Sequence, residues 1–289
     1  MVKINGNTDL YALMGYPAKH SLSPFIHNYF FNKYDLNSVY LSFEIIPSDF
    51  KTAFLGAKKI GFSGINLTMP FKEDSLNYLE ELDEDAKAIK SANTVKINKN
   101  ERKTKGFNTD ILGLIRSLDD HNFNWGVSSC LIIGAGGAAK SAVYALIKKK
   151  TEKIYIFSRT ASRANEIKIL FNNHDFTKII ILNDLNIAPL KEISLIINCT
   201  PLGMKLNDSS MDNNILPIPE SWNLNKKFVF EMVYNPIHTL LVKKSIKDGA
   251  EVIFGTEMLL NQAAFSFEIW KGFFPDLTYL KNYFKNSIK

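Results

Sequence analysis

Short apolar runs alternate with amphipathic segments along the chain. The apolar runs lie at residues 10–15, 39–45, 61–67, 130–133, 154–157, 178–182, 195–199, 229–233 and 251–254. Segments with helical spacing of apolar residues separate them, among others at residues 25–33, 47–59 and 140–150. Strands that alternate with helices build mainly parallel sheets, and these sheets bind ligands beyond the carboxyl ends of their strands. The pattern therefore predicts an α/β protein whose functional side chains follow its strands.

Other segments depart from this alternation. Residues 76–88 are charged and predict a helix, residues 93–97 and 104–108 predict a hairpin, residues 110–118 predict a helix, and residues 205–225 predict a polar loop. Because 289 residues exceed one average domain, we expect two domains. The first is residues 1–113, and the second is residues 114–255.

A glycine-rich turn joins the strand at residues 130–133 to the helix that follows. It fits the Gly-x-Gly-x-x-Ala pattern of a dinucleotide-binding βαβ unit. Gly134 permits a tight turn, Gly136 lets the backbone approach a diphosphate, and the helix N-terminus offers N–H groups to the phosphates. A glycine-rich turn that binds nothing is the alternative. The flanking strand and helix favour a nucleotide site, formed by Gly134, Ala135, Gly136, Gly137 and Ala138.

The end of the second strand of this unit indicates which dinucleotide binds. An NAD-specific unit carries Asp or Glu there, about 20 residues after the fingerprint, to bind the ribose 2′-hydroxyl. Here Ser158, Arg159, Thr160 and Arg163 occupy the strand end instead. Two guanidinium groups suit a 2′-phosphate. A solvated arginine at a helix start is the alternative, but two of only four arginines in the chain fall at this turn, so NADP is the predicted cofactor.

Composition narrows the class of protein further. The net charge of +6 comes from scattered lysines, which favours small anionic ligands over nucleic acid. No apolar signal segment opens the chain and no apolar run reaches about 18 residues, which predicts a cytoplasmic protein that does not enter a membrane. Cys130 and Cys199 lack a CxxC spacing and are interpreted as reduced core residues. His20 and His27 lack metal-ligand spacing, so no metal is expected, and either a monomer or a homodimer is expected.

Two serines precede the first predicted helix. Ser21 and Ser23 present two hydroxyls at a helix N-terminus, which suits a carboxylate. Ser23 also suits the N-cap position, because Pro24 fits the first helical position. Carboxylates are often bound by arginine, but residues 1–113 contain only Arg102, in the polar hairpin turn. Neutral donors are therefore expected to bind any carboxylate in this domain.

Further polar residues follow the third strand and the hairpin. Asn66, Thr68 and Lys72 fall at the carboxyl end of the strand at residues 61–67. A surface lysine is the alternative interpretation of Lys72. Asp110 opens a helix after the hairpin, where it could instead complement the helix dipole.

These motifs together resemble those of the shikimate dehydrogenase family. The matching segments are Gly15-Tyr16-Pro17, residues 20–24, His27-Asn28, residues 66–72, Asn93-Thr94, residues 106–110 with Gly113, residues 198–204 and residues 258–263. They cover nearly the whole chain in the order typical of the family. The resemblance implies a mainly parallel α/β substrate domain and a doubly wound Rossmann domain that binds NADP. It also implies that C-terminal helices at about residues 256–289 pack back on the first domain and complete it. It also implies the reversible reduction of 3-dehydroshikimate to shikimate by hydride transfer from NADPH.

The resemblance assigns roles to individual residues. Lys72 and Asp110 are the implied catalytic pair, and the sequence leaves open which of them transfers the proton. The implied substrate-binding residues are Ser21, Ser23, Asn66, Thr68, Lys72, Asn93, Asp110, Tyr234 and Gln262. Beyond the glycine and arginine turns, the implied cofactor-binding residues are Thr200, Met232 and Gly255. A solvent-facing side chain is the alternative for Gln262.

Some positions depart from the family pattern. Lys90-Ser91 takes the place of the usual Gly-Ala, Ser158 replaces an asparagine, and Glu231 replaces the usual aspartate. Two other functions share most of the motifs: a quinate/shikimate dehydrogenase of the same superfamily, and a non-catalytic NADP-binding regulatory protein. The arginine turn and the serine pair argue against the first, and the presence of both Lys72 and Asp110 argues against the second.

Overall fold

A computed structural model describes residues 4–101, 103–126, 129–172, 176–204 and 215–288. Arg102 and the first part of the predicted loop, residues 205–214, lie outside the described residues. The chain divides into two compact units. The N-terminal unit comprises residues 1–112 and 262–280, and the central unit comprises residues 113–261 and 281–289.

The described residues of the first part of the chain, up to Asp120, form six strands and five α-helices. The strands are β1 (Asp9–Gly15), β2 (Ser38–Glu44), β3 (Gly64–Leu67), β4 (Glu81–Leu82), β5 (Thr94–Asn98) and β6 (Lys103–Phe107). The helices are α1 (Ser23–Lys33), α2 (Phe50–Lys59), α3 (Phe71–Asp74), α4 (Glu84–Ile89) and α5 (Thr109–Asp120). Short 3₁₀ turns at Pro47–Asp49 and Ser75–Tyr78 precede α2 and follow α3.

The sheet of the N-terminal unit is mixed and mainly parallel, as the sequence predicts. Its strand order is β2-β1-β3-β5-β6-β4, and β1 pairs in parallel with both β2 and β3. The predicted hairpin is confirmed, because β5 and β6 are antiparallel. Phe50 stacks on Phe71 with ring centroids 4.1 Å apart, so α2 and the short helix α3 share one apolar core. This packing fixes α3 at the carboxyl end of β3.

The rest of the chain forms a second series of alternating strands and helices. The strands are β7 (Ser129–Ile133), β8 (Lys153–Phe157), β9 (Lys178–Leu182), β10 (Ile193–Asn198), β11 (Phe228–Glu231) and β12 (Glu251–Ile253). The helices are α6 (Gly137–Lys148), α7 (Ala161–Leu170), α8 (Leu240–Asp248), α9 (Gly255–Lys271) and α10 (Thr278–Ile288). No helix among the described residues is long and apolar enough to span a bilayer.

The sheet of the central unit is wholly parallel, with the strand order β12-β11-β10-β7-β8-β9. The chain winds outward from β7 in one direction and then from β10 in the other. This is the doubly wound Rossmann order, and its ligands bind where the direction reverses, between β7 and β10. The predicted α/β fold class is confirmed.

Two local predictions were wrong. Ser23 is the first residue of α1 rather than its N-cap, which is Leu22, so the Ser23 hydroxyl caps no N–H group of the helix. Residues 76–88 do not form one helix, because Glu81 and Leu82 leave the helical path and pair with β6 as β4. Asp83 then begins α4 as its N-cap by accepting from the N–H of Ala86 at 2.7 Å.

Candidate active site and nucleotide site

Lys72 and Asp110 form an ion pair in the N-terminal unit. Lys72 Nζ lies 2.6 Å from Asp110 Oδ2, and Asp110 is only 7% exposed. Asp110 Oδ1 accepts from Nδ2 of Asn93 at 2.9 Å, so each carboxylate oxygen has a donor. Such an arrangement holds an ammonium group at one defined place, beside a largely buried anion.

The elements around the ion pair explain its geometry. Lys72 lies on α3 directly after β3, and its carbonyl accepts from the N–H of Ala92 at 2.8 Å. Asn93 precedes β5, and its N–H donates to the carbonyl of Phe107 at 2.9 Å. Asp110 lies in the first turn of α5, immediately after β6. Neighbouring strand ends therefore bring together residues that are far apart in the sequence.

A buried polar network surrounds Asn93. Its Oδ1 accepts from the N–H of Thr109 at 2.8 Å, and Thr94 Oγ1 lies 2.8 Å from Ser266 Oγ. Gln262, one turn before Ser266 on α9, accepts from Thr109 Oγ1 at 3.5 Å, which places it at this network. The sequence assigns no role to Ser266, and none to Thr109, although Thr109 lies in the matching segment at residues 106–110. The only signal is the position of Ser266 four residues after Gln262, on the same face of a helix.

Asn66 is fully engaged by protein groups. Its Oδ1 accepts from the Tyr40 hydroxyl at 2.8 Å, and its Nδ2 lies within 3.1 Å of Asn93 O, Thr94 Oγ1 and Ser266 Oγ. Tyr40 is fully buried and stacks on His27 with ring centroids 4.4 Å apart. The contact of Asn66 with substrate stays a prediction. In the structure, its amide group joins Tyr40 to the polar network around Asn93.

His27 has the structural role that its spacing indicates. Its ring is fully buried, and neither ring nitrogen has a hydrogen-bond partner among the described residues. Burial lowers the pKa of His27 to about 3, so the ring is neutral at physiological pH. A neutral imidazole stacked on Tyr40 behaves as a core aromatic residue.

Ser21, Ser23 and Thr68 belong to the same unit. The Ser21 hydroxyl donates to Ser23 Oγ at 3.1 Å and accepts from the N–H of Ser23 at 3.2 Å. Thr68 follows β3, and its Cγ2 would lie 2.2 Å from any Cβ at Gly15. Glycine at position 15 therefore lets the Thr68 side chain lie against the end of β1.

In the central unit, the glycine turn joins β7 to α6 in the predicted way. Gly134 has φ +113°, and a Cβ there would lie 3.1 Å from the carbonyl carbon and oxygen of Cys199. Gly136 is the N-cap of α6 and supplies no side chain, and the positions of a Cβ on Gly136 and Gly137 are open. The first N–H groups of an α-helix have no partner within the helix, and beside open space they fit a diphosphate.

The arginine turn lies at the end of β8, the strand next to β7. Arg159 and Arg163 are both exposed, on either side of Thr160, the N-cap of α7. The N–H of Thr160 donates to Ser158 Oγ at 3.3 Å, which closes the turn. Two exposed guanidiniums on one turn fit the doubly charged 2′-phosphate of NADP.

Thr200, Met232 and Gly255 lie at neighbouring segments beyond β10, β11 and β12. Thr200 Oγ1 donates to Asn198 Oδ1 at 2.7 Å, and the N–H of Met232 donates to the carbonyl of Asn198 at 3.2 Å. A Cβ at Gly255 would lie 2.8 Å from the Met232 carbonyl oxygen, so only glycine allows this approach. Tyr234 follows directly, and burial raises the pKa of its phenol.

Comparisons with known proteins agree with this architecture. The family model described as the shikimate dehydrogenase substrate binding domain matches residues 13–95, and the shikimate/quinate 5-dehydrogenase model matches residues 117–215. The shikimate dehydrogenase (NADP(+)) of Caldanaerobacter subterraneus is 36% identical over 95% of this chain and 96% of its own.

Solved structures agree as well. A shikimate dehydrogenase in complex with NADP⁺ is 34% identical, has a TM-score of 0.86, and covers 99% of this chain and 98% of its own. The shikimate 5-dehydrogenase of Listeria monocytogenes, in complex with shikimate and NAD, is 28% identical with a TM-score of 0.87, covering 98% of each chain.

The fold and these matches define a two-domain α/β dehydrogenase with a Rossmann sheet. More specifically, the chain belongs to the shikimate dehydrogenase family, and the resemblance seen in the sequence is confirmed.

Proposed function

We propose that the protein is an NADP-dependent shikimate dehydrogenase that reversibly reduces 3-dehydroshikimate to shikimate, within chorismate and aromatic amino acid biosynthesis. The observation that carries this proposal is the ion pair between Lys72 and Asp110, 2.6 Å apart at the strand ends of the N-terminal unit. Relatives named for this activity and solved with NADP⁺ or with shikimate support it.

The ion pair suits the reduction of a ketone. Bound NADPH supplies the hydride, which turns the carbonyl oxygen into an alkoxide. An ammonium group stabilises that developing charge and carries a transferable proton, so we assign Lys72 to the ketone oxygen. Asp110 holds the ammonium group in place through Oδ2 while Asn93 fixes Oδ1. In the reverse direction Lys72, as the neutral amine, accepts the proton of the substrate hydroxyl.

The remaining predicted substrate residues supply neutral hydrogen-bonding groups. We assign the substrate carboxylate to the hydroxyls of Ser21 and Ser23, which already lie 3.1 Å apart. We assign the binding of the substrate ring hydroxyls to the polar network around Asn93, together with Thr68 and Gln262. Asn66 and Tyr234 complete the proposed set.

The cofactor assignment is NADP, with the diphosphate at the glycine turn and the 2′-phosphate at Arg159 and Arg163. The open space at Gly136 and Gly137 supports the first assignment. We further propose that the substrate domain is residues 1–113 with about 256–289 and that the cofactor domain is residues 114–255. This division differs from the two compact units mainly by assigning residues 256–261 and 281–289 to the substrate domain. A cytoplasmic location and a monomer or homodimer complete the proposal.

One assay tests this function. The purified protein should reduce NADP⁺ with shikimate much faster than with quinate, and much faster than it reduces NAD⁺ with either compound. A faster reaction with quinate or with NAD⁺ would contradict the proposed substrate or cofactor. Binding of NADP⁺ without any turnover would favour a regulatory protein.

A further inference from the structure

Glu231 is a buried acid that the proposed chemistry does not use. It is the last residue of β11, and its side chain is fully buried. Burial raises the pKa of Glu231 to about 7, although the hydrogen bonds that it accepts oppose this rise. Among the described residues, its hydrogen-bond partners are all neutral groups. A carboxylate in such a place lowers the stability of the fold, because it loses its hydration without gaining a cation.

Donors from separate segments converge on this carboxylate. Oε1 accepts from Asn198 Nδ2 at 2.9 Å and from the N–H of Val233 at 3.0 Å. Oε2 accepts from Thr239 Oγ1 at 2.8 Å. Thr239 in turn is the N-cap of α8 and accepts from the N–H of Val242 at 3.2 Å. One side chain therefore joins the ends of β10 and β11 to the start of α8.

The segments that Glu231 joins also carry predicted cofactor residues. Asn198 Oδ1 accepts from both the N–H and the Oγ1 of Thr200, at 3.1 and 2.7 Å. Gly203, with φ +91°, lies so close to Thr239 that a Cβ would come within 3.0 Å of its side chain. The turn from Asn198 to Gly203 is thus held at one end through Asn198 and at the other against Thr239. A change at Glu231 reaches both ends of this turn.

We propose that Glu231 is a positioning residue that sets the geometry of the turn carrying Thr200, and thereby the affinity for the cofactor. This inference rests on the proposed NADP-dependent function. An ionised carboxylate accepts from all three donors at once. Glutamine has a single acceptor oxygen, so if that oxygen keeps the two N–H donors, its NH₂ group faces the Thr239 hydroxyl, which must then turn its proton away and accept instead. The acid therefore provides a geometry that a neutral isostere lacks, at a cost in stability.

The test is the variant Glu231→Gln, studied as the full chain. Binding of NADP⁺ should weaken about tenfold, the loss expected for one hydrogen bond to a charged acceptor. The Tm at pH 8 should stay equal or rise, because the buried charge is gone. Calorimetric titration with NADP⁺ and thermal unfolding measure the two quantities. Opposite directions of affinity and stability distinguish positioning from a merely structural role.

Two control variants sharpen the comparison. Val229→Ala removes buried atoms from the same strand and should lower the Tm while leaving the affinity for NADP⁺ unchanged. Glu192→Gln changes an exposed acid just before β10 and should alter neither quantity.

An unchanged affinity in Glu231→Gln would overturn the inference. So would a weakened affinity accompanied by a loss of Tm as large as that of Val229→Ala, since this marks general destabilisation. The wild-type titration separates the two conclusions. A wild-type protein that does not bind NADP⁺ overturns the proposed function together with this inference, whereas an unaffected variant overturns this inference alone.

Discussion

Both units gather polar side chains at the carboxyl ends of their strands, but they compensate buried acids in different ways. In the N-terminal unit, Asp110 has a cation 2.6 Å away and a neutral donor on its other oxygen. In the central unit, Glu231 has three neutral donors within 3.0 Å. A buried charge is stabilised either by an opposite charge or by a set of hydrogen bonds from neutral donors. Asp110 uses the first arrangement and Glu231 uses the second.

The difference follows from what each unit is proposed to do. Reduction of a ketone creates negative charge, so an ammonium group held in place by a neighbouring anion is useful there. Binding of a dinucleotide needs turns of fixed shape, and a carboxylate that accepts from several segments fixes them without adding a cation. If this contrast is right, substitutions in the first cluster change turnover, and substitutions in the second change cofactor affinity.

The largest effect is expected from Lys72→Ala. Turnover should fall by roughly 10²–10⁴-fold, the usual contribution of a positioned proton-transfer group. The KM for shikimate should change much less. Lys58→Ala is the matched control, because Lys58 also pairs with an acid, Glu80, on the same unit. Steady-state kinetics measure both constants. If the turnover of Lys72→Ala stays within a few-fold of the wild-type value, Lys72 is at most a binding residue.

The double variant Ser21→Ala with Ser23→Ala should weaken shikimate by roughly 10²-fold. Each hydrogen bond to a charged group is worth about 1.5–3 kcal/mol, and about 1.4 kcal/mol is a factor of ten. The KM for NADP⁺ should stay unchanged. The Ser23 hydroxyl caps no N–H group of α1, but the Ser21 hydroxyl accepts from the N–H of Ser23, the first residue of that helix, so a small loss of stability should accompany the double variant. An unchanged KM for shikimate in a folded double variant rules out the carboxylate assignment.

Replacement of Arg159 and Arg163 by alanine tests the other end of the cofactor. The KM for NADP⁺ should rise about tenfold or more, and the KM for NAD⁺ should stay nearly constant, because only NADP⁺ carries the 2′-phosphate. Both side chains are exposed, so the effect should shrink at high salt. Arg116→Ala, which breaks a pair with Asp120, is the control. Equal losses for both cofactors would contradict the assignment.

The patterns that could be predicted are those set by local sequence. The glycine turn and the arginine turn lie within one βαβ unit, so their positions follow from the order of strand, turn and helix. Lys72 and Asp110 each follow a predicted strand, and parallel strand ends meet at one edge of a sheet. Their roles, however, came from the family resemblance, because position alone does not distinguish a catalytic lysine from a surface one.

Contacts between distant segments could not be predicted. Tyr40 donates to Asn66 across 26 positions, and Ser266 contacts Asn66 across 200, with no local signal for either. The misplaced N-cap has a different cause. Ser23 before Pro24 fits either of two adjacent positions, and the backbone of Leu22 decides between them. The helix predicted over residues 76–88 failed because strand pairing of Leu82 outweighed its helical propensity.

The central unit also pairs charges where its acids are less buried. His121 lies between Glu257 and Glu251, with Nε2 2.8 Å from the first and Nδ1 2.7 Å from the second. The hydrogen bonds to Glu257 and then Glu251 raise the pKa of His121 to about 9, against the opposing effect of burial. Other acids of this unit therefore do pair with a cation. The neutral surroundings of Glu231 are a property of its own position and not of the whole unit.

The His121 cluster predicts how stability depends on pH. The folded pKa lies above the usual value of 6.5, so the stabilisation is fully present below that pH and is lost as the pH rises through about 9. The free energy of unfolding should therefore fall more steeply between pH 7 and pH 10 in the wild type than in His121→Gln. Urea titrations across this range measure the slopes, with His238→Gln as the control. Parallel slopes would contradict the charge pairing.

The smallest expected effect lies in the N-terminal unit, away from its ion pair. Lys90 ends α4 in the left-handed region, with φ 52°, at a position where the family usually has glycine. A side chain in that conformation costs about 1–2 kcal/mol, and part of this is offset because glycine is more flexible when unfolded. Ser91 Oγ is buried and has no hydrogen-bond partner among the described residues. An unsatisfied buried hydroxyl costs about 1–3 kcal/mol.

The double variant Lys90→Gly with Ser91→Ala should therefore raise the free energy of unfolding by about 1–2 kcal/mol. Turnover should stay at the wild-type level, because neither side chain bonds to Lys72 or Asp110. Lys87→Gly is the matched control: it places glycine inside α4, where it should destabilise by about 0.5–1 kcal/mol. Chemical denaturation measures both. A double variant that is more stable but turns over more slowly would show that the Lys72–Asp110 ion pair depends on the segment before Asn93. In that case the ion pair and its hydrogen bonds to Asn93 would not by themselves account for turnover, as the comparison with Glu231 assumes.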